Sequence, residues 1–270
     1  MIPSEETSLA DIRRVRATIR EGRHQGHTAG LAQGRLQANL VILPEADALD
    51  FMRYCQRNPK PCPLVGVTDS GDPWFRTLGH DIDVRTDLPA YNVYRDGALI
   101  ESRRDLLDLW RDDFVAFALG CSFTFERALM ADGIRLDHVE ADRTVAMYQT
   151  SIETRAAGPF IGGMVVSMRP IAPECVDEVV EICRRYPLAH GAPVHVGDPD
   201  AIGINDLGAP EYGEPPLDLA GRTPVFWACG VTPQNAVRHA RPSICITHKP
   251  GCMLITDVDE FAESPFVTTF

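Results

Sequence analysis

Residues 37–68 read QANLVILPEADALDFMRYCQRNPKPCPLVGVT, and this stretch decides the predicted fold. The apolar run up to Leu43 predicts a buried strand. Pro44 then opens a helix that runs to about Arg57, because proline suits the first helical turn. A second strand is predicted over Leu64–Thr68, and a strand–helix–strand unit is typical of an α/β layer.

The same patterns predict the rest of the secondary structure. The dipeptide Asp96-Gly97 indicates a two-residue hairpin turn, because both central positions need positive φ. Further helices are predicted over residues 8–22, 105–110, 124–131, 173–186 and from 233 onward. Further strands are predicted over residues 91–95, 98–102, 144–152, 164–169, 194–196, 224–228, 243–247 and 253–256, the last two forming a hairpin. The arginines of the first helix, Arg13, Arg14, Arg16 and Arg20, are expected to be solvated.

The order of these elements predicts an α/β fold built in two parts. We expect a main three-layer α/β domain formed by both ends of the chain, residues 1–133 and 211–270. A smaller two-layer α+β domain, residues 134–210, is expected to be inserted into it.

Composition limits the classes of function. The chain has 270 residues, 44% hydrophobic and 24% charged, with a net charge of −12. An acidic chain repels nucleic-acid phosphates and anionic lipid, so neither nucleic acid nor a membrane is an expected partner. A small anionic metabolite is the expected partner, because a local pocket can be positive inside a negative protein. The N-terminal stretch contains no apolar targeting segment, which predicts a cytoplasmic protein with cysteines as free thiols. The sequence leaves open whether the chain forms a homo-oligomer.

Turns between a buried strand and a helix supply the first candidate site residues. Cys121 and Ser122 stand at one such turn and Thr232 at another, where unpaired N–H groups can bind an anion. A thiol before a helix N-terminus can be a nucleophile or simply pack at the turn. Glu126 lies one helical turn after Ser122 and can act as a general base or be a solvated carboxylate. Plain capping remains an alternative at each turn.

The densest polar cluster is HGAPVHVGDP at residues 190–199. His195 alternates with two valines on a predicted strand and should face away from the core, with His190 and Asp198 at the flanking turns. The trio suits a general base with an orienting carboxylate, a structural role, or divalent-metal ligation. The spacing matches no specific metal motif, so no metal site and no cofactor are predicted.

Four further side chains are candidates for substrate binding. Arg169 is the expected partner of a substrate carboxylate, because arginine binds carboxylates bidentately, although a buried ion pair would also explain it. His248 lies at a strand end, and Asn92 and Tyr148 are weaker candidates. The usual dinucleotide, nucleotide and hydrolase motifs are missing from the sequence.

The chain resembles the D-glutamate cyclase family, whose bacterial members are often labelled hydro-lyases. Seven stretches in order carry the resemblance, and together they span most of the chain. They are PCPLVGVTDSGDP at 61–73, TDLPAYNVYRDG at 86–97, FALGCSFTFERAL at 117–129, GPFIGGMVVSMRP at 158–170, HGAPVHVGDP at 190–199, FWACGVTPQ at 226–234 and ITHKPGCMLITD at 246–257. The resemblance implies a two-part α/β fold and dehydration of D-glutamate to 5-oxo-D-proline.

A mechanism consistent with that reaction assigns roles to the candidates. His195, oriented by Asp198, is the expected base, and His190 or Glu126 the expected acid. N–H groups near Cys121, Ser122 and Thr232 are expected to stabilise an oxyanion, while Arg169 holds the α-carboxylate. A covalent variant uses Cys121 as acyl acceptor.

Two alternatives remain open at this point. The chain can be a hydro-lyase acting on another small carboxylic acid, for which a divalent-metal requirement would be a sign. It can also be a non-catalytic partner or sensor in 5-oxoproline metabolism.

Overall fold

A computed structural model describes residues 8–28 and 30–262. Within these ranges the α-helices are α1 Leu9–Arg20, α2 Glu45–Arg57, α3 Phe123–Ala131, α4 Asp137–Glu140, α5 Val176–Arg184 and α6 Val231–Ala240. The strands are β1 Arg35–Pro44, β2 Leu64–Val67, β3 Tyr91–Arg95, β4 Ala98–Arg103, β5 Phe114–Gly120, β6 Ala146–Glu153, β7 Gly163–Ile171, β8 His195–Val196, β9 Thr223–Ala228, β10 Cys245–His248 and β11 Leu254–Asp259. Short 3₁₀ helices span Pro173–Cys175, Pro187–Ala189 and Pro199–Ile202.

The larger sheet is built around β1. Its strand order is β2-β5-β1-β10-β3-β4, with β11 also pairing with β1, and all its pairings are antiparallel. Every residue of β1 after the first is buried, as a continuous apolar run predicts for a central strand. Because β1 and β2 both run antiparallel to β5, they are parallel to each other with β5 between them. The predicted strand–helix–strand unit is therefore confirmed, and one strand, β5, lies between its two strands.

Both faces of this sheet are covered. On one face, α2 and α6 pack against alternate residues of β1 and β5, with Phe51 meeting Phe117 edge to face at 4.9 Å. On the other face, the long segment between β2 and β3 packs Phe75 and Leu78 onto the alternating residues Leu40 and Ile42. Helices and sheets are thus mixed as expected for the α/β class.

The smaller sheet has the order β6-β7-β9-β8, again antiparallel. One face packs against α3 and α5, and the other against the segment after the Pro199–Ile202 helix. Strand β9 belongs to this sheet, although the sequence predicts residues 211–270 to be part of the main domain. The division of the chain into two domains stays a prediction.

The predicted hairpin of β10 and β11 is wrong. Both strands pair antiparallel with β1, β10 through Val41↔Thr247 and β11 through Ala38↔Leu254, so they form one interrupted strand. At the interruption, the ring of His248 accepts a hydrogen bond from the Leu40 N–H at 3.1 Å. The side chain thereby replaces the strand partner that the break removes.

Two other expectations need correction. Residues 105–110 form a turn, in which the Trp110 indole donates to the Gly71 carbonyl at 2.9 Å. Arg16 is fully buried and forms ion pairs with Asp81 at 2.5 Å and Asp257 at 2.7 Å, because α1 lies on β11.

The predicted hairpin turn at Asp96-Gly97 is confirmed, because both residues have positive φ, 50° and 83°.

In the part of the chain that the structure describes, no helix is both long enough and apolar enough to cross a membrane.

Candidate functional site

The turn from β5 into α3 brings the chain from the larger sheet towards the smaller one. All of β5 is buried, and the Cys121 N–H donates to the Gln37 carbonyl at 3.1 Å. Gly120 is required here because a Cβ would overlap the carbonyl oxygen of Leu188. Helix α3 then starts after Ser122, and its first turns carry Thr124 and Glu126 inward.

Three donors converge on one carboxylate oxygen of Glu126. The Arg169 guanidinium donates from Nε at 3.0 Å and also from Nη2, and His138 Nε2 lies 3.0 Å from the same oxygen. Burial favours the neutral acid, but the charge of Arg169 and the hydrogen bond from His138 outweigh it and lower the pKa of Glu126 to about 2. Because an ionised carboxylate can only accept, His138 carries a proton on Nε2.

Arg169 is held entirely by protein groups. Its side chain is fully buried, and its guanidinium lies 5.0 Å from the Phe125 ring centroid and 5.1 Å from that of Trp227. Nη1 donates to Ser167 at 3.0 Å, and Nη2 lies 3.4 Å from the Ser122 hydroxyl. The expectation that Arg169 binds a substrate carboxylate directly is corrected, because its donors already serve a buried ion pair.

A cavity of about 490 Å³ opens beside Glu126. This volume lies in the usual range for pockets that hold small molecules. Segments from distant parts of the chain line it, including the start of β1, helices α3 and α4, and the loop before β11. Its polar lining includes His27, Arg35, Gln37, Thr124, Glu126, Arg127, His138, Arg143 and Glu260.

The arginines on the cavity wall differ in how they are paired. Arg127 forms an ion pair with Glu260, and Arg143 contacts Glu214 at 2.8 Å. Arg35 donates from Nη1 to the Asp257 carbonyl at 3.3 Å, its Nε has no hydrogen-bond partner, and among the described residues it forms no ion pair with a carboxylate. Arg35 is therefore a positive charge on the wall that remains open to an anionic ligand.

The structure brings together three of the sequence-predicted residues, Ser122, Glu126 and Arg169. His190 is buried nearby in a left-handed conformation, with φ of 74° and Nδ1 2.7 Å from the Lys60 carbonyl. Burial lowers the pKa of His190 to about 4, so its ring is neutral at pH 7. Cys121 is buried at the start of the turn.

His195 and Asp198 lie apart from the cavity lining. His195 Nε2 is 2.6 Å from the backbone oxygen of Asp198, and the Asp198 carboxylate accepts from the Asp200 N–H at 3.1 Å. The expected orientation of His195 by that carboxylate is thus corrected, because the carboxylate caps a 3₁₀ helix. Among the described residues, no group of three or more His, Cys, Asp or Glu side chains is arranged to hold a metal ion.

The remaining candidates make internal hydrogen bonds. The Thr232 hydroxyl bridges the backbone of Val165, and the Tyr148 hydroxyl donates to the Leu207 carbonyl at 2.7 Å. Asn92 accepts from Ser102 at 2.7 Å, and His248 bonds to Leu40. None of these four described side chains lines the cavity.

Sequence reasoning missed His138, Arg35 and Gln37. His138 lies in a one-turn helix with no motif around it, and its partner Glu126 is twelve residues away. Thr124 was also missed, although it lies in the stretch at 117–129 that carries part of the resemblance. For Arg35 and Gln37, the only signal was their place at the start of a buried strand.

Comparison with known proteins places this chain in a family. The family model described as D-glutamate cyclase matches residues 115–257. The chain belongs to the D-glutamate cyclase family. It is 63% identical over 253 residues to a "Putative hydro-lyase" of Dinoroseobacter shibae, a match covering 94% of this chain and 84% of that protein. It is 62% identical over 263 residues to a protein of the same description from Ruegeria pomeroyi, covering 97% and 94%.

Family membership confirms the resemblance found in the sequence. The matched residues run from β5 to β11 and include Glu126, His138 and Arg169. The names of the relatives and the D-glutamate cyclase match support a lyase of the hydro-lyase kind.

Proposed function

We propose that this D-glutamate cyclase family member converts D-glutamate to 5-oxo-D-proline and water in the cavity beside Glu126. The observation that carries the proposal is the His138–Glu126 pair on the wall of a 490 Å³ cavity that also exposes Arg35. A fixed imidazole and an open cation are what an amino dicarboxylate needs for proton transfer and docking.

The reaction needs proton transfer but no co-reactant. A bond forms between the α-nitrogen and the side-chain carboxyl carbon, and one carbon–oxygen bond of that carboxyl breaks. The ammonium loses two protons, and both leave with the departing oxygen as water. The site must therefore accept a proton from nitrogen and deliver it to oxygen.

His138 is the proposed acid–base residue. Its Nε2 proton is directed to Glu126, which leaves the Nδ1 lone pair to accept a proton from the substrate amine. The same ring can then protonate the departing oxygen, and a second transfer of the same kind carries the second proton from nitrogen to oxygen, so that water leaves. Glu126 acts as a positioning residue, because the pKa of about 2 keeps it ionised and unable to donate.

Arg35 is the proposed anchor for the α-carboxylate. Its contact with the Asp257 carbonyl fixes the guanidinium while leaving it without a carboxylate partner in the described residues. Anchoring the α-carboxylate would hold the amine and the side-chain carboxyl in one cavity, which favours ring closure through proximity.

The test follows four compounds with purified, metal-stripped protein: D-glutamate, L-glutamate, 5-oxo-D-proline and 5-oxo-L-proline. Chiral chromatography should find interconversion of the D pair only. Absence of conversion of all four, with and without added divalent metal, would contradict the proposal. Conversion only after metal addition would favour a metal-assisted hydro-lyase reaction instead.

A further inference from the structure

Two buried side chains on the cavity wall have polar atoms without protein partners. Gln37 is 5% exposed and Thr124 is 3% exposed, and both line the cavity. In the described part of the chain, Gln37 Oε1 and Thr124 Oγ1 have no hydrogen-bond partner. Leaving a buried polar atom unpaired is costly, so a native structure normally supplies a ligand or water for it.

The orientation of the Gln37 amide is fixed by its other end. Its Nε2 donates to the Thr28 carbonyl at 3.0 Å, a contact that an amide oxygen could not make. Oε1 is consequently held as a buried acceptor, and it can be satisfied only by a hydrogen-bond donor.

We infer that Gln37 Oε1 recognises the nitrogen of the ligand, which makes Gln37 a specificity-determining residue for nitrogen-containing acids. This inference rests on the proposed function and adds to it the group that distinguishes the substrate nitrogen. D-Glutamate presents amine N–H groups, and 5-oxo-D-proline presents a ring N–H. An amine that donates one N–H to Gln37 also has its lone pair directed away from that contact, ready for attack on the side-chain carboxyl carbon.

The charge of the surrounding wall agrees with this assignment. Arg35 is a donor for a carboxylate, and Gln37 lies two residues further along the same strand. A cation and a neutral acceptor among the lining residues of one cavity suit the two ends of an α-amino acid group, with carboxylate towards Arg35 and nitrogen towards Gln37. Thr124 lies on helix α3 and also lines the cavity. Its hydroxyl can donate or accept a hydrogen bond, so it suits a carboxyl oxygen of the ligand whether or not that oxygen carries a proton.

The test compares two ligands that differ only at the ring nitrogen. These are 5-oxo-D-proline and its lactone analogue of the same configuration, in which a ring oxygen replaces N–H. Calorimetry on the wild-type chain should find the lactam bound at least about tenfold more tightly, since a site built to accept an N–H rejects an analogue that lacks it. In Gln37→Leu, the two dissociation constants should agree within about threefold.

The matched control is Gln56→Leu, the same change at an exposed position of α2, which should keep the wild-type preference. If Gln37→Leu fails to fold, Gln37→Met replaces it, and the wild-type ratio remains a test by itself.

Equal binding of lactam and lactone by the wild-type chain would overturn the role of Gln37 and leave the proposed function standing. Selective binding without any turnover of D-glutamate would support Gln37 and contradict the proposed reaction. Binding of neither ligand would contradict both.

Discussion

At the residue scale, the site depends on a buried charge pair. Glu126 and Arg169 were each candidates from residue type alone, but their contact joins a helix to a strand 43 residues further along. Local patterns predict α3 and β7 and do not fix how the two pack. Residue type alone therefore suggested either a ligand contact or a buried ion pair for Arg169, and the fold shows the ion pair with Glu126.

Removing the cation should destabilise the protein strongly. Arg169→Met leaves the Glu126 carboxylate buried without its main partner, which typically costs about 3–5 kcal/mol in free energy of unfolding. Urea denaturation measures this loss. The double variant Glu126→Gln/Arg169→Met should lose less than Arg169→Met alone, because it removes both charges.

The control for that experiment is Arg53→Met, which breaks the exposed pair with Asp50 and should cost less than about 1 kcal/mol. Equal losses of unfolding free energy in Arg169→Met and Arg53→Met would contradict a stabilising role for the buried pair of Arg169 and Glu126.

The same carboxylate should make stability depend on acid pH. The pKa of Glu126 falls from 4.5 to about 2 in the fold, so its stabilisation is complete above pH 4.5 and is lost as the pH falls towards 2. Unfolding free energy measured between these values should decline less steeply in Glu126→Gln than in the wild type. The same slope of unfolding free energy against pH in Glu126→Gln and in the wild type would contradict the lowered pKa of Glu126.

At the element scale, the interrupted strand shows where sequence patterns stop being informative. The turn at Lys249-Pro250-Gly251 has the composition of a hairpin turn, yet β10 and β11 continue along β1 in one direction. A loop that bulges out and a loop that reverses the chain use the same turn residues. By contrast, β1 and α2 were predicted closely, because a buried run and a helix-starting proline are local signals.

The break should make His248 a structural residue with its own pH dependence. His248→Ala leaves the buried Leu40 N–H without an acceptor, at a cost of about 1–3 kcal/mol measured by urea denaturation at pH 7. Burial lowers the pKa of His248 from 6.5 to about 4. Its contribution is therefore complete above pH 6.5 and is lost as the pH falls to 4, since the unfolded chain takes up the proton first.

His80→Ala, a change at an exposed histidine, serves as the control and should leave stability at pH 7 unchanged. A His248→Ala variant as stable as the wild type at pH 7 would argue against this role for the ring.

At the scale of the whole molecule, the candidate site is assembled from segments that are distant in the sequence. The cavity is lined by residues from 27–37, 124–145 and 250–260, which meet only because β11 pairs with β1 and α3 lies beside the start of β1. The α/β class could be predicted from element order, but a lining assembled from three distant segments could not. His138 is an example, since nothing near it in the sequence signals its contact with Glu126.

The central claim is that catalysis takes place in this cavity through His138, and one measurement tests it most directly. The kcat/KM of His138→Gln for D-glutamate is compared with that of the wild type and of His195→Gln, the base expected from sequence. We predict that His138→Gln loses at least about 100-fold while His195→Gln stays within about threefold of the wild type. Wild-type activity in His138→Gln, with the loss appearing in His195→Gln, would contradict the account and move the reaction to the 190–199 segment.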